Sequence, residues 1–87
     1  MWSIDGIWWD YQKEAIIFRL IDEEGDEVIC GVTQVAVNDH FHTADTEQDA
    51  RDNFDDNTDF IISIAANLVD QDECDEDGVY LITSEHI

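Results

Sequence analysis

The sequence predicts an α+β domain: a small antiparallel sheet of three to four strands with a short and a long helix packed on one face. Three observations carry this expectation. Two β-rich runs, Glu14 to Ile21 and Glu27 to Val32, flank the acidic, glycine-containing connection Asp22-Glu23-Glu24-Gly25-Asp26, the mark of an antiparallel hairpin. A helical apolar rhythm then runs from Ala50 to Leu68. A last alternating run, VYLITS, follows Gly78. At 87 residues, with no Pro, no internal repeat and no long linker, the chain is expected to form a single domain, 1–87.

Taken in order, Ile4 to Asp10 alternates weakly and carries Ile7, Trp8 and Trp9, which makes it a short first strand or an extended arm with aromatics on both sides. In Glu14 to Ile21, Ile16, Phe18 and Leu20 share one face and Ala15, Ile17, Arg19 and Ile21 the other. Thr33 ends the third strand and can cap a short helix reaching Phe41. After the polar stretch His42 to Asp45, Thr46 is a second N-cap candidate, and Glu47 and Asp49 put negative charge where the helix dipole favours it. Ala50, Phe54, Ile61, Ile64, Ala65 and Leu68, with Asn57 between, fall within one arc at about 100° per residue. One continuous helix to about Asp70 is therefore expected, over the alternative of a break at Asn57-Thr58 with Thr58 as a fresh cap. The last strand is expected to join the hairpin.

Over nearly its full length the chain resembles the small bacterial proteins catalogued as domain of unknown function 1488. The residues that carry the resemblance are Val28-Ile29-Cys30-Gly31-Val32-Thr33, the run VAVNDHF from Val35 to Phe41, then Phe54, Asn57, Ile61 and Ala65, and finally Gly78, Leu81 and Ser84. An Arg often follows the helix Asn in that family, and here the place is held by Thr58. The resemblance implies an α+β fold and supplies no activity.

Charge is the extreme feature: 23 Asp and Glu stand against Lys13, Arg19 and Arg51, a net charge of −20. Direct binding to nucleic acid or to an anionic membrane is excluded on electrostatic grounds, and a basic protein is the natural complement. Apolar residues at 44% are enough for a core, so the acidity does not imply disorder. Cys30 and Cys74 are far apart, with no C-x-x-C spacing; this, with no signal peptide and no apolar run long enough for a membrane span, implies a reducing, cytoplasmic setting.

The charge is patterned. Asp45, Asp49, Asp52, Asp56 and Asp59 are spaced 4, 3, 4 and 3, one stripe opposite the apolar face, with Asp55 at its margin. Like charges at these spacings weaken a helix by about 0.2–0.5 kcal/mol per pair, so folding alone does not ask for them. A row of anions about 5 Å apart on a rigid rod is in the range of phosphate spacing on nucleic acid, and would suit the basic groove of a nucleic-acid-binding protein. The bland alternative is a solvated face, exaggerated by adaptation to a salty cytoplasm.

Other constellations are weaker. In ECDEDG, Glu73, Asp75, Asp77 and Gly78 occupy the first, third, fifth and sixth places of a calcium loop, but the twelfth is Ser84, so at most weak divalent binding is expected. His40 and His42 are two apart and do not share a helix face, which disfavours zinc. No nucleophile signature or phosphate loop is present, so neither catalysis nor a cofactor or metal is expected. Trp2, Trp8, Trp9 and Tyr11 are too many large aromatics for one short strand to bury on one side. Trp8 and Trp9 must point to opposite faces, and one of these aromatics should be exposed; the cluster is either a lid over the core of the sheet or a hot spot for a partner or a homodimer. The sequence thus points to a non-enzymatic acidic interaction protein, a candidate nucleic-acid mimic, with Asp45, Asp49, Asp52, Asp55, Asp56, Asp59, Trp8 and Trp9 as partner-binding residues. The competing expectation is a housekeeping domain whose acidity reflects a high-salt host.

Overall fold

The structure, a computed structural model, describes residues 2–87. The element order is β1 (Ser3–Asp10), β2 (Ala15–Ile21), β3 (Glu27–Thr33), α1 (Gln34–Phe41), α2 (Glu47–Asp56), α3 (Thr58–Asp70) and β4 (Tyr80–Ile82). The four strands form one sheet in the order β1-β2-β3-β4, and the fold is α+β.

Side-chain carboxylates close both hairpins. Asp10 Oδ1 accepts the N–H groups of Gln12 and Lys13, at 2.9 and 3.0 Å, and so turns β1 into β2. Asp22 Oδ1 does the same for Glu24 and Asp26 between β2 and β3, where Gly25 supplies the positive φ of 88° that the turn requires. β1 and β2 are antiparallel with a bulge between Ile4 and Ile7: Asp5 and Gly6 stand where β2 offers only Arg19.

The expected wholly antiparallel sheet is corrected at its last strand. β4 runs parallel to β3, with Cys30, Gly31 and Val32 opposite Tyr80, Leu81 and Ile82. A parallel neighbour needs a crossover, and the three helices between β3 and β4 provide it.

The alternation in β2 sorts the two faces as expected. Ile16, Phe18 and Leu20 join Cys30 and Val32 under the helices, meeting Ala36, Val37, Ala50, Phe54, Ile61, Ala65 and Leu68 in the main core. Phe18 and Phe54 sit at its centre, ring centroids 5.2 Å apart. On the opposite face Ala15, Ile17 and Val79 form a small second cluster with Ile29 and Leu81 against it.

The single long helix is a second correction. α2 and α3 are separate, and Asn57 between them leaves the helical region at φ −131°, ψ 32°. Thr58 is not the expected N-cap either; Asn57 holds that place, without a side-chain cap bond. Side-chain hydrogen bonds to carbonyls accompany the break. Asn57 Nδ2 donates to Asn53 O at 3.0 Å, while Thr58 Oγ1 donates to Phe54 O at 2.8 Å and Asp55 O at 3.2 Å. Asn53 O also keeps its bond from Asn57 N–H at 3.1 Å, so the Asn57 amide adds to the ladder there, while the Thr58 hydroxyl bonds back to the preceding turn, as polar residues within helices do. The inner face survives the break: Phe54, Ile61 and Leu68 are all buried.

Candidate functional site

Two capped turns aim α2. Thr46 is its N-cap, its hydroxyl accepting Asp49 N–H at 3.1 Å, and Thr33 caps α1 in the same manner through Ala36 N–H. Between the two helices lies Asn38, fully buried. Its Nδ2 donates to Thr46 O at 3.0 Å, and its Oδ1 accepts Thr43 Oγ1 at 3.2 Å and Asn53 Nδ2 at 3.1 Å. Asn38 thus ties α1 to the start and the second turn of α2. Sequence reasoning did not single it out, because an Asn inside an apolar helical run looks the same whether it faces water or the core.

With Ala50 and Phe54 turned inward, the opposite side of α2 faces solvent. Asp45, Asp52, Asp55, Asp56 and Asp59 are exposed, and Asp49 is half-buried. Asp45 precedes α2, Asp49, Asp52, Asp55 and Asp56 lie on it, and Asp59 opens α3. The row is therefore bent at Asn57 rather than straight, and the bend leaves an open concavity of about 360 Å³ lined by Asp55, Asp56, Asp59 and Phe60, the last 41% exposed.

No ion pair neutralises these aspartates among the described residues. Asp45 and Asp52 accept only neutral amides, from Gln34 at 2.8 Å and Gln48 at 3.0 Å. The chain's Lys and Arg side chains are engaged elsewhere: Lys13 with Asp75 and Asp77, Arg19 with Asp5 at 3.6 Å, and Arg51 with Glu47 at 3.0 Å.

Trp8 and Trp9 take opposite sides, as the alternation required. Trp8, 40% exposed, pairs with Ile17 on the face away from the helices and lies under Arg19 at 5.9 Å. Trp9 pairs with Ile16, packs against the main core and carries Arg51 over its ring at 5.7 Å. Tyr11, at 79% exposure, meets Trp9 edge-on.

The acidic loop after α3 has its own cation. Lys13 Nζ lies 2.8 Å from Asp75 Oδ2 and 2.7 Å from Asp77 Oδ2, so two of the three carboxylates at calcium-like places already hold an ammonium. Asp75 Oδ1 meanwhile accepts the N–H groups of Asp77 and Val79, both at 2.9 Å. Desolvation opposes the charge on Asp75, but the Lys13 ammonium and those two N–H donors outweigh it and hold its carboxyl below the usual range. The same two carboxylates raise the Lys13 pKa above its ordinary value. Nothing in the sequence signalled this contact, whose partners are 62 residues apart. Asp22, Glu24 and Asp26 also bring oxygens within 4.8 Å of one another, a consequence of the tight turn that Asp22 caps.

His40 and His42 do not converge. His40, in the last turn of α1, stacks on Phe60 with ring centroids 5.2 Å apart, and His42 is the left-handed C-cap. Cys30 is buried, and burial pushes its thiol up to about 12; Cys74 is exposed. No helix is long and apolar enough to cross a membrane among the described residues.

Set beside known proteins, residues 4–82 match the model of the family described as "Protein of unknown function (DUF1488)". A crystal structure of a protein of unknown function from that family, from Shewanella loihica PV-4, superposes with a TM-score of 0.77 at 20% identity, covering 93% of this chain and 90% of that one. That likeness concerns the fold alone. No curated protein matches the chain.

Proposed function

The chain belongs to the DUF1488 family, and on that premise we propose that it is a non-enzymatic, highly acidic interaction protein that presents a nucleic-acid-like surface to a basic, nucleic-acid-binding protein. The observation that supports this reading is the row Asp45, Asp49, Asp52, Asp55, Asp56 and Asp59, none of which is paired with a cation among the described residues while each Lys and Arg of the chain is engaged elsewhere. Such a surface attracts a basic partner over roughly a Debye length, about 8 Å at physiological salt, and repels nucleic acid and anionic membrane. The bend at Asn57 shortens the straight part of the row to α2, about 15 Å long. The two free cysteines suit a reducing compartment such as the cytoplasm. The test is to pass native lysate over the immobilised chain at low salt and challenge what is retained with duplex DNA. Mimicry expects basic proteins that duplex DNA releases as readily as salt does; retention indifferent to both contradicts it.

A second reading is favoured by the spread of the acidity. Carboxylates also crowd the turn from Asp22 to Glu27 and the loop from Asp70 to Asp77, far in sequence from the row. This suits a housekeeping domain adapted to a salty cytoplasm. It expects other proteins of the same organism to be equally acidic and the melting temperature to climb steeply with sodium chloride.

A further inference from the structure

β1 is an edge strand of eight residues, paired only on its β2 side. Alternate residues of such a strand point their N–H and C=O groups outward, and proteins usually blunt this edge with Lys, Pro or bulges. β1 has neither Lys nor Pro. Its bulge ends at Ile7, which leaves Ile7 to Asp10 in regular one-to-one pairing with Phe18 to Ala15. This same stretch and the turn after it concentrate exposed apolar surface: Ile7 is 47% exposed, Trp8 40% and Tyr11 79%.

On the helix-side face of the sheet a cleft of about 170 Å³ opens between β1, β2 and α2. Its floor is Ile7, Ile16 and Phe54, and its rim includes Asp52 and Asp55 from the acidic row. Arg51 also lines it, but its guanidinium is held by Glu47 and by the Trp9 ring. A second copy of the chain is a poor occupant, because pairing two such edges brings together two bodies of charge −20 with their α2 rows beside the seam.

We infer that the β1 edge accepts an extended basic segment of a partner protein as an added strand, lying in the plane of the sheet beyond β1 with one of its faces turned toward the α2 side. This rests on the reading of the acidic row given above and supplies its binding mode. Side chains of an added strand alternate between faces. Those on the helix side are Lys or Arg, their aliphatic stems over Ile7 and their charged heads at Asp52 and Asp55. Those on the other side are apolar and pack beside Trp8. Main-chain bonds to β1 give register, and the alternation gives specificity.

The probe is a synthetic peptide of about eight residues alternating Lys with Val, a typical strand length, compared with the same peptide N-methylated at alternate amides. N-methylation keeps charge and composition and removes edge hydrogen bonding. The expected result at low salt is binding of the parent, with amide shifts and exchange protection at Ile7 to Asp10, and at least about tenfold weaker binding of the N-methylated peptide. Ile7→Gln, at an exposed position, and the pair Asp52→Asn, Asp55→Asn should each weaken the parent comparably. Equal binding of the two peptides, or shifts confined to α2, overturns strand addition while leaving the charge reading intact. So does no peptide binding by a chain that still captures basic proteins from lysate, and so does a concentration-dependent dimer whose protected amides lie in β1. Peptide binding that survives both Asp→Asn changes, with lysate capture also unaffected, overturns the charge reading itself.

Discussion

Replacing Asn38 with Ala tests the account of how α2 is held. The amide makes three hydrogen bonds, at 3.0, 3.2 and 3.1 Å, in a position with no solvent exposure. Two of its partners keep something: Thr46 O still accepts Ala50 N–H at 3.1 Å, and Asn53 Nδ2 still donates to Thr43 Oγ1 at 2.9 Å. The loss is therefore that of three bonds worth about 0.5–1.5 kcal/mol each, without a fully orphaned group, or about 1.5–4.5 kcal/mol. A domain of this size has only about 4–13 kcal/mol in total. Urea denaturation followed by tryptophan fluorescence should show the midpoint falling by about 1–2 M at an unchanged slope. A fall below about 0.3 M would refute the argument, since it would mean that the network contributes nothing net or that water replaces it without cost.

Other predictions follow from the loop clamp and the thiols. Because the Asp75 carboxyl is held below its ordinary range, its contribution is complete above about pH 4 and is lost as pH falls through the depressed value. Lys13→Met, which leaves Asp75 and Asp77 without their cation, should lower stability at pH 7 and narrow its gap from the parent on acidification; a gap constant down to pH 2 would contradict the clamp. A thiol reagent should modify Cys74 at once and Cys30 only on unfolding, since burial raises the Cys30 pKa to about 12; rapid modification of both in the native state would contradict the burial of β3.

Much of this architecture was legible in the sequence because burial imposes periods that residue types betray. The alternation of Ile16, Phe18 and Leu20 gave the inner face of β2, the arc from Ala50 to Leu68 gave the buried side of the helices, and Thr33 and Thr46 gave their starts. The break at Asn57-Thr58 was legible only as the less favoured alternative, because one residue leaving the helical region scarcely disturbs an apolar stripe. The break is accompanied by side-chain hydrogen bonds from Asn57 and Thr58 to carbonyls of the preceding turn, a choice that polar residues make only in context. The direction of β4 was invisible for a different reason: alternation marks faces and carries no sense of direction, so the parallel pairing with β3 followed from the crossover. For the candidate surface, the sequence indicated which aspartates face outward. It gave neither the bend in their row nor the cleft beside Ile7, since both depend on where β1 comes to lie against α2.

The central claim is that the outward carboxylates of α2 bind a basic partner. Reversing Asp49, Asp52 and Asp56 together to Lys addresses it most directly, with circular dichroism confirming that the helices persist. The account predicts that capture of basic proteins from lysate at low salt disappears in the folded triple variant. Undiminished capture of the same proteins would contradict it.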